Sequence, residues 1–167
     1  MLSLLKLSAL SCILSFIYST VSAQHCSDLL ARHENKKEGY IGFQTTSLNQ
    51  PVEVSKSIVK GNTSYLLRLE VLGKSKLPDN FLLTLKLENG AKIEKNQQEL
   101  ASHITEANVQ NDPGKVYMVF VKLSQNELEL LAANRMTNYK LHRFAVSFKP
   151  ENQDIFQESI QCLIAAK

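Results

Sequence analysis

Apolar residues alternate with polar ones along much of the chain, and a period of two reads as β-strand. The clearest run sets Phe81, Leu83, Leu85 and Leu87 against Leu82, Thr84, Lys86 and Glu88. Asn89-Gly90 follows at once. That pair tolerates the positive φ of a tight hairpin, so Ala91–Lys95 should fold back antiparallel. Over 63–72, Tyr65, Leu67, Leu69 and Val71 share one face and Leu66, Arg68, Glu70 and Leu72 the other. The mixed second face makes Leu66, Arg68 and Leu72 a candidate contact surface, unless the C-terminal helix covers it. Gly61-Asn62, just before this strand, reads as a hairpin turn. Tyr40–Thr46 and Val52–Val59 read as two further strands, with a turn at Asn49-Gln50-Pro51 between them. Val116–Leu123, after a turn at Asp112-Pro113-Gly114, is apolar almost throughout, which predicts a central strand covered on both faces. Met136–Phe148 reads as one more strand, with Phe144, Val146 and Phe148 on one side.

Three segments break the period. Ser124–Ala133 predicts a helix: Ser124 can accept from the amide of Glu127 while Glu127 reaches back, a capping box, with Leu123 and Leu128 placed as a hydrophobic staple. Asn134 can end it in the left-handed region. After Pro150, Glu151–Ala165 carries Phe156, Ile160, Leu163 and Ile164 on one helical stripe, with Cys162 beside it. Near the start, Ser27–Lys37 reads as a short helix capped by Ser27 or Asp28. Residues 96–111, rich in Asn and Gln, leave three readings open: loop, a strand around His103–Val109, or a short helix near Gln98. The sum is an α+β domain. It has a mostly antiparallel sheet or small β-sandwich of about seven strands, one short internal helix, and a C-terminal helix packed on the sheet.

Residues 1–23 follow neither pattern. Lys6 precedes an apolar run from Leu7 to Val21, and Val21-Ser22-Ala23 ends it with small residues where a signal peptidase needs them. The run falls short of the roughly 20 apolar residues of a membrane span. The expectation is a secretory signal peptide over 1–23, cleaved after Ala23, and a single globular domain over 24–167. Loss of the leader leaves 18 basic against 16 acidic side chains, a net charge of +2. The basic residues are scattered, as in Lys36, Lys37, Lys74, Lys76, Lys140 and Arg143, so no nucleic-acid footprint forms. The leader also takes Cys12, leaving Cys26 and Cys162 near the two ends of the mature chain. An even count in an exported chain suggests a disulfide. Its 137-residue loop would contribute up to about 5 kcal/mol by the chain-entropy model. Two free thiols are the competing reading.

No motif points to catalysis. The four histidines, His25, His33, His103 and His142, lack metal-ligand spacing. His25 and His33 read as surface residues, and His142 as one member of a cross-strand polar pair. There is no nucleophile elbow, no phosphate-cradling glycine loop and no cofactor signature. Asn62-Thr63-Ser64 is a glycosylation sequon in an expected turn, which makes Asn62 a possible modification site. The order "VYMVFVKLSQNELELLAANRMTNYKLHRFAV" followed by a helix with "IQCLI" resembles small uncharacterised exported proteins of Gram-negative bacteria, over about residues 85–165. The resemblance rests on an apolar strand entering a Leu-rich helix, a strand bearing Arg143-Phe144, and a C-terminal helix with a Cys. It implies a secreted or periplasmic protein and brings no catalytic residue.

The leading expectation is therefore an exported, non-catalytic binding or structural module with a protein or envelope partner. The alternative is a carrier of a small apolar ligand or lipid between sheet and C-terminal helix, lined by Phe81–Leu87 and Val116–Leu123.

Overall fold

The computed structural model describes residues 25–46, 52–73, 77–108 and 115–167. The expected leader, the Asn49–Pro51 turn and the Asp112–Gly114 turn lie outside them. Ten strands are described, in two sheets that are antiparallel throughout. The larger sheet has the order β1-β2-β3-β4-β8-β7, built from β1 (Leu30–Asn35), β2 (Tyr40–Thr45), β3 (Val52–Val59), β4 (Asn62–Gly73), β7 (Leu100–Asn108) and β8 (Lys115–Leu123). The smaller has the order β10-β9-β5-β6, from β5 (Leu82–Leu87), β6 (Lys92–Asn96), β9 (Met136–Leu141) and β10 (Phe144–Ser147). An internal helix spans Gln125–Ala133 and a C-terminal helix Pro150–Ala165.

The α+β class holds, with more strands than the pattern suggested. Each extra strand has a local cause. Residues 25–29 are helical, but the chain then straightens into β1 rather than continuing to Lys37. Met136–Phe148 is a hairpin and not one strand: His142 takes a positive φ of 53° and turns the chain, so Phe144 pairs with Leu141. His142 therefore sits in the turn and makes no cross-strand pair, while its N–H donates to Leu82 O at 2.8 Å. The amide-rich 96–111 segment yields both of its structured readings. Asn96 caps a single 3-10 turn, Gln97–Glu99, and β7 follows. The β3–β4 hairpin turn lies one residue earlier than expected, on Lys60 (φ 49°) and Gly61 (φ 82°), with Val59 opposite Asn62. Positive φ at both central residues suits the right-handed twist of the flanking strands.

One core joins both sheets. From the large sheet, Val52, Val54, Leu67, Leu69, Val71, Tyr117, Val119 and Val121 face inward and are buried. From the small sheet, Leu83, Leu85, Ile93, Met136, Tyr139 and Leu141 do the same. The sheets touch where Tyr117 stacks on Phe144, ring centroids 6.2 Å apart, and where the Tyr139 hydroxyl donates to Glu70 O at 2.6 Å. Burial, and then the Glu70 charge, push the Tyr139 phenol well above its ordinary range, so it remains a donor. Gly73 makes room for the stack: a Cβ there would lie 2.6 Å from the Tyr117 ring and 2.9 Å from that of Phe144.

The C-terminal helix packs against β9, β3 and β1 through Phe156, Ile160 and Leu163, all fully buried. It also holds the end of the internal helix, since Gln157 and Gln161 both donate to Ala132 O, at 3.0 and 2.9 Å. The internal helix begins with the expected capping box of Ser124 and Glu127. It ends differently: Asn134 is extended (φ −137°), and its N–H and side-chain amide both donate to Leu130 O. Its start is tied to β6 by Lys95 Nζ, 2.6 Å from Glu127. Burial raises the Glu127 carboxyl, but the Lys95 ammonium and the Ser124 donors together outweigh it and hold it below its ordinary value.

Two outcomes follow from these contacts. A non-glycine residue in the left-handed region is strained, and Asn tolerates it better than Lys. Lys60→Asn should therefore stabilise the protein by about 0.5–1 kcal/mol, read as a higher urea midpoint. The depressed Glu127 pKa contributes stability above its ordinary value of 4.5, and this is lost as pH falls through the lower folded value. Glu127→Gln should be less stable than the parent at neutral pH, and its urea midpoint should fall less steeply on acidification below 4.5.

Candidate functional site

The register of the large sheet sets Arg32, Phe43, Lys56, Tyr65 and Leu123 side by side on its inner face, from β1, β2, β3, β4 and β8. Above this row the C-terminal helix ends. Its last carbonyls have no partner within the helix, and the buried Lys56 supplies one: Nζ donates to Leu163 O at 3.1 Å and to Ala166 O at 2.6 Å. A cation at this end also matches the helix dipole. Burial lowers the Lys56 pKa. The Tyr65 ring flanks the ammonium, 5.7 Å from its centroid.

The other side of the helix end is tied covalently. Cys26 and Cys162 form a disulfide with their Cα atoms 5.4 Å apart. Hydrogen bonds fix the Cys26 segment to the end of β2: the Thr46 N–H donates to Leu29 O at 2.9 Å and its hydroxyl to Asp28 O at 3.0 Å. His25 Nε2 lies 3.0 Å from the Glu158 carboxylate.

Between these two attachments the helix end and the β1–β2 edge do not close on each other. A groove of about 420 Å³ remains, lined by Leu30, Phe43, Ala165, Ala166 and the Cys26–Cys162 disulfide, with Ser27 and Arg32 as its polar groups. Arg32 is half-exposed and pairs with Glu34 at 3.1 Å. The surfaces expected to line a ligand site are instead packed shut: Phe81, Leu83, Leu85, Leu87, Tyr117, Val119, Val121 and Leu123 are all at most 4% exposed. Val116, Met118 and Phe120, on the opposite face of β8, are half-buried and Lys122 is exposed, so this strand is not covered equally on both sides.

The C-terminal helix lies on the inner face and leaves the outer face of β4 uncovered by it. Leu72 is 56% exposed, Leu66 is half-buried, and Arg68 is held between Glu53, at 3.0 Å, and Glu70. Asn62 is exposed at the start of β4. His25, His33 and His142 are exposed, His25 beside Glu158 of the C-terminal helix, His33 on β1 and His142 in the β9–β10 turn, and the His103 side chain lies outside the described residues. Among the described residues no group of three or more His, Cys, Asp or Glu could hold a metal ion. No helix among them is long and apolar enough to cross a membrane. The groups with shifted pKa values, Lys56, Tyr65, Glu127 and Tyr139, do not line the groove.

Leu30 and Arg32 escape the sequence reading because Ser27–Lys37 reads as a short helix; Phe43 falls on the expected Tyr40–Thr46 strand, but without β1 beside it nothing marks it as a groove residue. Read as a strand, Leu30 and Arg32 fall on one face, and the groove wall would have been visible as an alternation. No family model, curated protein or solved structure matches this chain.

The disulfide is both wall and fastening. Replacing it with Cys26→Ser and Cys162→Ser together should lower stability by about 3–5 kcal/mol in urea unfolding, because 136 residues separate the two positions. Reduction of the parent protein should produce the same loss.

Proposed function

We propose that the chain is an exported, non-catalytic binding module that holds a small apolar molecule in the groove between the β1–β2 edge and the C-terminal helix. The observation that supports this is the groove itself. Its volume of about 420 Å³ falls in the range of small-molecule sites, roughly 300–1,000 Å³, and its walls are mainly apolar. A Cys26–Cys162 bond fits an oxidising compartment. Export and cleavage after Ala23 are the route there that the apolar leader suggests, in keeping with the resemblance to exported bacterial proteins.

A second reading is favoured by a different observation. The exposed Leu72, with half-buried Leu66, Met118 and Phe120 around the Arg68 ion pairs, forms an outer face suited to a protein or envelope partner.

Native mass spectrometry of protein purified from its natural source tests both parts of the first reading. The expected result is a mature chain beginning at Gln24, carrying an added mass of a few hundred daltons that dissociates on activation. In Ala165→Trp the indole should fill the groove and abolish the adduct, with stability changed by no more than about 0.5 kcal/mol at this exposed position. A parent protein without adduct overturns the carrier reading. A chain retaining Met1 overturns export.

A further inference from the structure

The groove is not electrically neutral, and its charge selects among apolar ligands. Phe43 forms its floor, and the two residues directly opposite Phe43 on the neighbouring strands are Arg32 and Lys56, both cations. Lys56 is buried and bonds only neutral carbonyls among the described residues. Arg32 stands on the groove wall, and Glu34 is its one ion-pair partner among the described residues. A guanidinium presents five N–H donors in a planar fork, and Glu34 meets it at Nη1. Lys56 lies beside this floor without lining the groove, so Arg32 is the charged group a ligand meets, and Glu34 engages only one of its nitrogens. From this charge complementarity we infer that the groove takes a single alkyl chain bearing one anionic head group, with the chain over Phe43, Leu30 and the disulfide and the head group on Arg32.

This deepens the binding reading and rests on it. An alkyl alcohol of the same length would fill the same apolar space without engaging the fork. An alkyl ammonium would meet Arg32 with like charge. A carboxylate or a phosphate monoester on the chain would each provide the oxygens that a guanidinium binds in pairs, and the two head groups are told apart only by measurement.

The test uses the purified, oxidised protein and five probes at submicellar concentration: dodecanoate, decanoate, dodecyl phosphate, dodecanol and dodecyltrimethylammonium. Binding is followed by calorimetry. Dodecanoate or dodecyl phosphate should bind roughly tenfold more tightly than dodecanol, a modest margin because Arg32 is half in solvent. The ammonium should bind least. Dodecanoate should exceed decanoate by roughly fourfold for each added methylene.

Arg32→Gln should erase the preference for the anions, so that dodecanoate and dodecyl phosphate bind no more tightly than dodecanol does. Glu34→Gln should tighten the anions alone, by about two- to threefold, since it removes the competing carboxylate. A merely structural role for Arg32 would move all probes together. The closer match of dodecanoate or dodecyl phosphate then names the head group.

If dodecanol binds as tightly as the anions, the charge inference falls and the groove reading stands. If no probe binds saturably, both fall. Self-association that competes with dodecanoate would give the groove to a second copy of the chain and overturn the proposal. Circular dichroism and thermal midpoints matching the parent establish that the variants are folded.

Discussion

The buried Lys56 ammonium determines where the C-terminal helix stops on the sheet, and much of the architecture follows from that placement. A helix end buried on an apolar sheet exposes carbonyls to a medium that cannot solvate them. Lys56 reaches Leu163 O and Ala166 O from the sheet below and so removes the penalty. With its end satisfied, the helix can lay Phe156, Ile160 and Leu163 across β3, β1 and β9, which brings both sheets under one cover. The internal helix depends on this in turn, because its last turn is held by Gln157 and Gln161.

The same arrangement explains why the groove lies at the periphery. Inward-facing leucines and valines of the two sheets interlock at the centre, where close packing leaves no room for a ligand. At the β1 edge the sheet carries Arg32 instead of another apolar side chain, and the helix has tapered to Ala165 and Ala166. A long charged side chain opposite two methyl groups cannot fill the interval. The space is the geometric result of small residues facing an arginine across a fixed gap.

Long, strongly alternating segments were legible in the sequence. The pattern over Phe81–Glu88, the alternation of 63–72 and the Ser124–Glu127 capping box all carry their information within a few neighbouring residues, and each forms as expected. The misreadings share a physical origin. Ser27–Lys37 has the polar composition of a helix start, but Leu30–Asn35 pairs with β2, and that tertiary hydrogen bonding overrides local preference. Met136–Phe148 contains no glycine or proline to announce a turn, and His142 enters the left-handed region without one. The groove was illegible for a related reason: its walls come from residues 26–43 and 162–166, which only the fold brings together. The sulfur link between those segments was the one long-range contact that counting could suggest, since two cysteines remain if residues 1–23 are the expected leader.

The disulfide imposes an order of events on synthesis and oxidation. Cys162 is the 136th residue after Cys26, so at roughly 5–20 residues per second it is synthesised about 7–27 seconds later. During that interval the earlier thiol has no native mate, while Cys12 lies 14 positions upstream of it. On the proposed route, excision of the leader disposes of this nearer rival. On that route proteolysis would serve as a proofreading step for oxidation: a single cut would leave one thiol pair, and a chain with two cysteines has no wrong isomer to form within itself.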